Sequence, residues 1–142
     1  MRQNFPASYE SLEGISNFIE LSARETGFSD QDTYNLVLAI DEACSNIIRH
    51  GYGYENRGEI EIIVNQIRKG MEIVIEDSGC AFDITKASKV KLSRSLGKRS
   101  EGGMGILFIQ KFIDEIEYQR IGEKNQLKLR KHKSAYDAKK GD

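Results

Sequence analysis

The hydrophobic period of this chain changes once in its first half, and the place of that change limits the folds open to it. Through residues 8–50 apolar side chains recur every three or four positions; through residues 59–76 they alternate. Leu12, Ile15, Phe18, Ile19 and Ala23 predict an amphipathic helix from Ser8 to about Thr26, with Gly27 where a terminator belongs. Ser29 and Asp30 offer an N-cap for a second helix, from about Gln31 to His50, that stops at Gly51-Tyr52-Gly53. Ile60, Ile62 and Val64, then Met71, Ile73 and Ile75 across an Arg68-Lys69-Gly70 turn, predict an antiparallel hairpin with one apolar face. Residues 2–7 form a short first strand. A third helix is expected from about Met104 to Asp114. Two strands follow, near Ile116–Arg120 and Gln126–Arg130, joined by a Gly122-Glu123-Lys124-Asn125 turn. Strand, helix, helix, strand, strand, loop, helix, strand, strand is not a regular alternation. It predicts an α+β two-layer sandwich, a mostly antiparallel sheet with helices on one face, and disfavours a doubly wound parallel fold.

The 142 residues suffice for one domain with its own core. No apolar run approaches the ~20 residues of a membrane span, and the start Met1-Arg2-Gln3-Asn4-Phe5-Pro6 has no apolar signal core. A non-membrane, cytoplasmic protein is therefore expected. Net charge is −1, but it is unevenly spread. Residues 124–142 hold seven Lys/Arg against two Asp/Glu, and residues 1–123 hold 14 against 20. Such an acidic body argues against a dedicated nucleic-acid binder. Within it, residues 86–99 carry six cations and no acid: Lys86, Lys89, Lys91, Arg94, Lys98 and Arg99. That pattern is compatible with an internal anion site. Cys44, Cys80 and two histidines make no zinc spacing, and both thiols are expected reduced.

Three segments could carry chemistry. On the second helix the polar residues fall in pairs, Asp41/Glu42, Ser45/Asn46 and Arg49/His50, four positions apart. They form one narrow polar stripe, with Glu42, Asn46 and His50 aligned. A carboxylate and an amide oxygen so placed could hold Mg²⁺ and orient a nucleophile; the plain alternative is a narrow solvent edge. Glu76-Asp77-Ser78-Gly79-Cys80-Ala81-Phe82-Asp83 follows a strand directly. Asp77 could there accept a hydrogen bond from an exocyclic amine, with Gly79 allowing positive φ or close backbone approach; otherwise the segment is an Asp-Gly turn. Glu101-Gly102-Gly103-Met104-Gly105 opens the third helix, where backbone N–H groups can meet an anion; otherwise it is a linker. Residues 84–102 are too long for an ordinary connection.

Taken together and in this order, the three segments resemble the anti-sigma-factor serine/threonine protein kinases of the GHKL, or histidine-kinase-like, ATPase superfamily. Glu42-Ala43-Cys44-Ser45-Asn46 with His50-Gly51-Tyr52 is similar to that family's N box. Asp77-Ser78-Gly79 with Phe82-Asp83 is similar to its adenine-pocket box, and Gly102-Gly103-Met104-Gly105-Ile106 to its second glycine box. Ala81, Ile84 and Ile106 depart from common family residues, and none of these departures removes a ligand.

The resemblance implies a Bergerat-type ATP-binding domain over residues 1–131, an ATP lid at about 84–102 and a basic tail over 132–142. It implies ATP and Mg²⁺ as cofactors. Asp77 would bind the adenine amine with Gly79 making room for the base. Asn46 would ligate the metal, Gly103 and Gly105 would meet the phosphates, Arg99 of the lid would join them, and Glu42 would be the general base. His50 is either a ligand-stripe residue or a hydrogen-bonded helix end. The implied partners are a sigma factor and a STAS-type anti-anti-sigma factor that is phosphorylated, with the kinase a homodimer that makes no nucleic-acid contact. Two rival readings are a non-catalytic ATP-dependent sigma-binding module and a regulatory kinase of an upstream switch complex.

Overall fold

The computed structural model describes residues 1–86 and 103–134. Strand β1 (Arg2–Pro6) leads into helices α1 (Ser11–Thr26) and α2 (Asp30–Asn46); a π-helical turn (Ile47–Gly51) extends α2. The hairpin β2 (Glu59–Ile67) and β3 (Gly70–Asp77) follows, then a 3₁₀ turn (Ile84–Lys86). Helix α3 (Gly103–Phe112), β4 (Glu115–Ile121) and β5 (Lys124–His132) complete the described order. The five strands form one sheet in the order β1-β2-β3-β5-β4, and every neighbouring pair is antiparallel. The α+β class expected from the period change is the one observed.

Register decides which side chains share a face. Ile62 lies opposite Ile75, which lies opposite Leu127; Val64, Ile73 and Leu129 form the next row. These six are buried, whereas Glu61, Glu76 and Gln126 of the alternate rows are not. The helices cover the first face: Ile15 and Ile19 of α1, Leu36 and Ile40 of α2 and Ile109 of α3 join the same core. Each such isoleucine or leucine contributes roughly 1.5–3 kcal/mol when taken wholly out of water. The polar end of this face is its last row, where Asp77 pairs with Asn125 across β3 and β5.

Several boundaries differ from expectation. Helix α1 begins at Ser11, because Ser8 starts a turn whose carbonyl accepts the Ser11 N–H. Helix α2 is capped as expected: the Ser29 hydroxyl accepts the Asp32 N–H at 3.1 Å. Replacing it, Ser29→Ala, is expected to lower stability by about 1 kcal/mol, read as a shift in the urea midpoint with an unchanged slope. The regular helix ends at Asn46, not His50. The last turn widens so that the Tyr52 N–H reaches the Ile47 carbonyl, five residues back. Helix α3 ends two residues earlier than expected, since Asp114 leaves it to donate its N–H to the Arg130 carbonyl. The β4–β5 turn is shorter than four residues, because Lys124 and Asn125 already pair with Ile121 and Arg120. Strand β5 outlasts its expected end: Lys131 and His132 pair with Met71 and Gly70. The sheet thus takes the first residue of the expected tail; residues 135–142 and most of the expected lid lie outside the described residues.

Candidate active site

The C-terminal half of helix α2 packs inside the molecule, so its polar stripe is half-buried until the exposed His50: Ala43, Cys44, Ser45 and Asn46 are buried, and Asp41 and Glu42 partly so. Asn46 is only 1% exposed. Its Nδ2 donates to the Glu42 carbonyl at 2.9 Å, one turn back, while its Oδ1 is buried without a hydrogen-bond partner. An orphaned buried acceptor costs about 1–3 kcal/mol, and a hard cation is a group that would satisfy it. Among the described residues no three His, Cys, Asp or Glu side chains converge on a metal position. A cation at Asn46 would thus take most of its ligands from phosphate oxygens and water, the habit of Mg²⁺. Burial raises the Asp41 carboxyl above the ordinary carboxylate range. Burial, with Asp41 and Asp77 nearby, pushes the Cys44 thiol far up, so this cysteine stays protonated and unreactive.

Asp77 ends β3 on the core face and is buried. Its Oδ1 accepts the Gly79 N–H at 2.8 Å and the Asn125 Nδ2–H at 2.9 Å. Burial raises its pKa, and the opposing effects of Asn125, Gly79 and Arg120 do not fully offset it. Asn125 also donates to the carbonyls of Gly79 and Cys80 at 3.2 and 3.0 Å, and so fixes the whole 77–80 turn. Tyr118 and Arg120 of β4 donate to the Asn125 Oδ1. On the other side the turn is held by the segment after α2. The Cys80 N–H donates to the Gly51 carbonyl at 2.7 Å, and the Ser78 N–H to the Tyr52 hydroxyl at 2.8 Å. The glycine at 79 answers to close approach, not to positive φ. A Cβ there would stand 2.6 Å from the Gly51 carbonyl carbon, so that backbone fills the space beside it. Asn46, Gly51, Asp77, Phe82, Tyr118 and Leu127 line one cleft between α2 and the sheet, apolar except for Asp77 and its amide neighbours. Apolar surface beside an acceptor is the chemistry a flat base with an exocyclic amine would use, although the cleft encloses only about 20 Å³.

Gly105 sits in the first turn of α3, against Glu42. A Cβ on Gly105 would come within 2.2 Å of the Glu42 Oε2. The two glycines therefore predict opposite outcomes. Gly79→Ala meets backbone that cannot yield, and is expected to cost ~1–3 kcal/mol of stability as an overpacked site. Gly105→Ala meets the end of a flexible side chain and improves helix propensity by up to ~1 kcal/mol. It is expected to hold stability near wild type while displacing the Glu42 carboxylate. Thermal melts of both variants check this pair.

Sequence reasoning brought Glu42, Asn46, Asp77, Gly79 and Gly105 forward, and they surround one region. Gly103 begins α3; Arg99 lies outside the described residues. His50 is exposed and its ring stacks on Phe82, centroids 5.0 Å apart. Asn125, Tyr118, Arg120 and Tyr52 were not anticipated. One signal was present: Asn125 is in alternating phase with Leu127 and Leu129, which makes it an inward-facing amide and not a turn residue.

An antiparallel sheet under helices carries, at one end, a strand-end carboxylate that opens on an apolar cleft and an orphaned amide oxygen on the facing helix. Residues 5–131 match the family model described as the histidine kinase-like ATPase domain. The chain belongs to that family. It is 31% identical over 115 residues to the serine/threonine-protein kinase BtrW of Bordetella bronchiseptica, covering 81% of each chain. It is 29% identical over 123 residues to the serine-protein kinase RsbW of Bacillus velezensis, covering 84% of this chain and 77% of the relative. Among solved structures it superposes on a chain of the SiaB–SiaC complex from Pseudomonas aeruginosa with a TM-score of 0.55. That match has 16% identity and covers 92% of this chain and 88% of the other; at such identity it speaks for the fold alone. No helix among the described residues is long and apolar enough to cross a membrane.

Proposed function

We propose that this chain is an anti-sigma factor with ATP-dependent serine/threonine protein kinase activity. It phosphorylates a STAS-type anti-anti-sigma partner and sequesters a sigma factor, acting in the cytoplasm as a homodimer and without contacting nucleic acid. The observation that carries the kinase reading is the meeting of Glu42 with the first turn of α3 at Gly105, one helical turn from the orphaned oxygen of Asn46. That proximity supports a reading in which nucleotide-binding and proton-accepting groups share adjoining elements. The names of the relatives, serine-protein kinases, support a hydroxyl as the acceptor.

Mg-ATP supplies the transferable phosphoryl group and the charge that activates it. Asp77 accepts the adenine amine, Asn46 offers Oδ1 to the metal, and the N–H groups at Gly103 and Gly105 meet phosphate oxygens. Arg99, in the basic segment 86–99, would add charge at the phosphates. Glu42 takes the proton from the partner's serine or threonine hydroxyl as that oxygen bonds to the γ-phosphorus and ADP departs. Such a transfer needs mostly positioning and charge stabilisation.

The test is a phosphotransfer assay with labelled ATP and a serine-bearing STAS protein, beside a pull-down from native lysate with and without ATP. The expected result is label on the STAS partner and ATP-dependent capture of a sigma factor. Sigma capture without transfer to any STAS protein would favour the non-catalytic binding module instead.

A further inference from the structure

The chain has two cysteines, and the fold treats them oppositely. Cys44 lies in the core with no exposed surface, and its thiol stays protonated. Cys80 is free and exposed. It stands at the edge of the cleft between α2 and the sheet, beside Phe82 and Ile84. The thiolate is the nucleophile of cysteine chemistry, and a buried thiol in apolar surroundings is inert. Access therefore leaves Cys80 as the thiol that reacts.

The same cleft is lined by Asn46, whose side chain is 1% exposed and whose Oδ1 has no hydrogen-bond partner. A buried acceptor left open marks the cleft as one that takes a ligand. The cleft encloses only about 20 Å³, little more than a water molecule needs. A base-sized ligand therefore enters by parting α2 from segment 79–84, on which Cys80 sits. The backbone of that segment cannot carry an adduct aside. The Cys80 N–H donates to the Gly51 carbonyl at 2.7 Å, and the Cys80 carbonyl accepts from the Asn125 Nδ2 at 3.0 Å. Rotation about the side chain's own bonds is the freedom that remains, so a bulky group on the sulfur stays at the mouth of the cleft.

We propose that Cys80 is a reversible modification site: a mixed disulfide with a low-molecular-weight disulfide of the glutathione type closes the cleft to nucleotide. This inference rests on the reading that the cleft takes the base of ATP. The Cys80 thiolate attacks one sulfur of the disulfide. A bond forms between that sulfur and the Cys80 Sγ, and the S–S bond of the disulfide breaks. Its other half leaves as a thiolate and takes up the proton that Cys80 gave up. Cys80 is oxidised and the departing half is reduced, so no further oxidant is needed. A free thiol reverses the exchange. In the proposed function, where sigma capture depends on ATP, the modified kinase would release its sigma factor under disulfide stress.

The experiment treats the full chain with oxidised glutathione and counts adducts by intact mass and peptide mapping. Mg-ATP is titrated by calorimetry before treatment, after it, and after dithiothreitol. The expected result is one adduct per chain, on Cys80, with ATP affinity reduced about tenfold or more and restored by dithiothreitol. Saturating Mg-ATP should slow the modification of the wild-type chain by a similar factor, a measurement that needs no variant. Cys80→Ser should acquire no adduct, and treatment should leave its own ATP affinity unchanged. The small methylthio cap left by methyl methanethiosulfonate should reduce affinity less than the glutathione cap, because closure is steric.

An adduct on Cys80 that leaves ATP affinity unchanged would overturn the gate, and so would the lack of an adduct there. Equal losses from the two caps, with a lowered melting temperature, would mean a disrupted turn and overturn steric closure. A reduced chain that binds no ATP would overturn the nucleotide reading, and the gate with it.

Discussion

Glu42→Gln should bind Mg-ATP within about threefold of wild type and lose phosphotransfer by ~10²–10⁴, the contribution of a positioned general base. The variant keeps the length of the side chain and removes its ability to hold a proton. Asn46→Ala should instead lose nucleotide binding and everything that depends on it, because it deletes the buried oxygen offered to the cation. The two residues sit one turn apart on α2, linked by the Asn46 Nδ2 bond to the Glu42 carbonyl, so a general disturbance of the helix would affect both activities in both variants. In the proposed function capture of the sigma factor is a surface interaction, so the ATP-loaded Glu42 variant should retain it. The antagonist would then escape inactivation, and sigma-dependent transcription should rise in cells. The matched measurements are nucleotide affinity, partner phosphorylation and sigma pull-down. A Glu42 variant that still phosphorylates at the wild-type rate removes Glu42 as the base.

Asp77→Asn should weaken ATP by roughly 1–3 kcal/mol, about tenfold to a hundredfold, because a charge-assisted acceptor becomes a neutral amide. Its effect on folding should have the opposite sign. The carboxyl is raised by burial in the folded chain, so ionising it works against folding. Stability falls as pH rises from the unfolded carboxylate range through the raised folded value, and that loss persists at neutral pH. Asparagine has the same shape, and its oxygen can still accept from Gly79 and Asn125. The variant should melt at or above the wild-type temperature at pH 7 while binding ATP poorly. Paired melts and calorimetry test this, and a variant that loses stability along with affinity would mark Asp77 as a structural residue.

The two periods of the sequence were enough for the fold class. A buried helix face must repeat near 3.6 residues and a buried strand face at 2, and both Ile15/Ile19 and Ile60/Ile62/Val64 obey their rule. The residues proposed to carry the chemistry, Glu42, Asn46, Asp77, Gly79 and Gly105, were singled out because each is a residue type whose local setting is unusual: a polar stripe on an apolar helix, a carboxylate at a strand end, glycines at a helix start. Asn125 was hidden because its role comes from pairing. Read along the chain it completes a turn; only the β3–β5 register puts it opposite Asp77. The widening of α2 at Ile47–Gly51 was hidden for the same reason. Its purpose is to bring the Gly51 carbonyl to the Cys80 N–H, 29 residues further on. Sequence alone determined the periods, caps and local chemistry of this protein, since those depend on near neighbours. Tertiary structure alone decided which distant groups meet, because a hydrogen bond between strands is set by register, and register by the packing of the whole face.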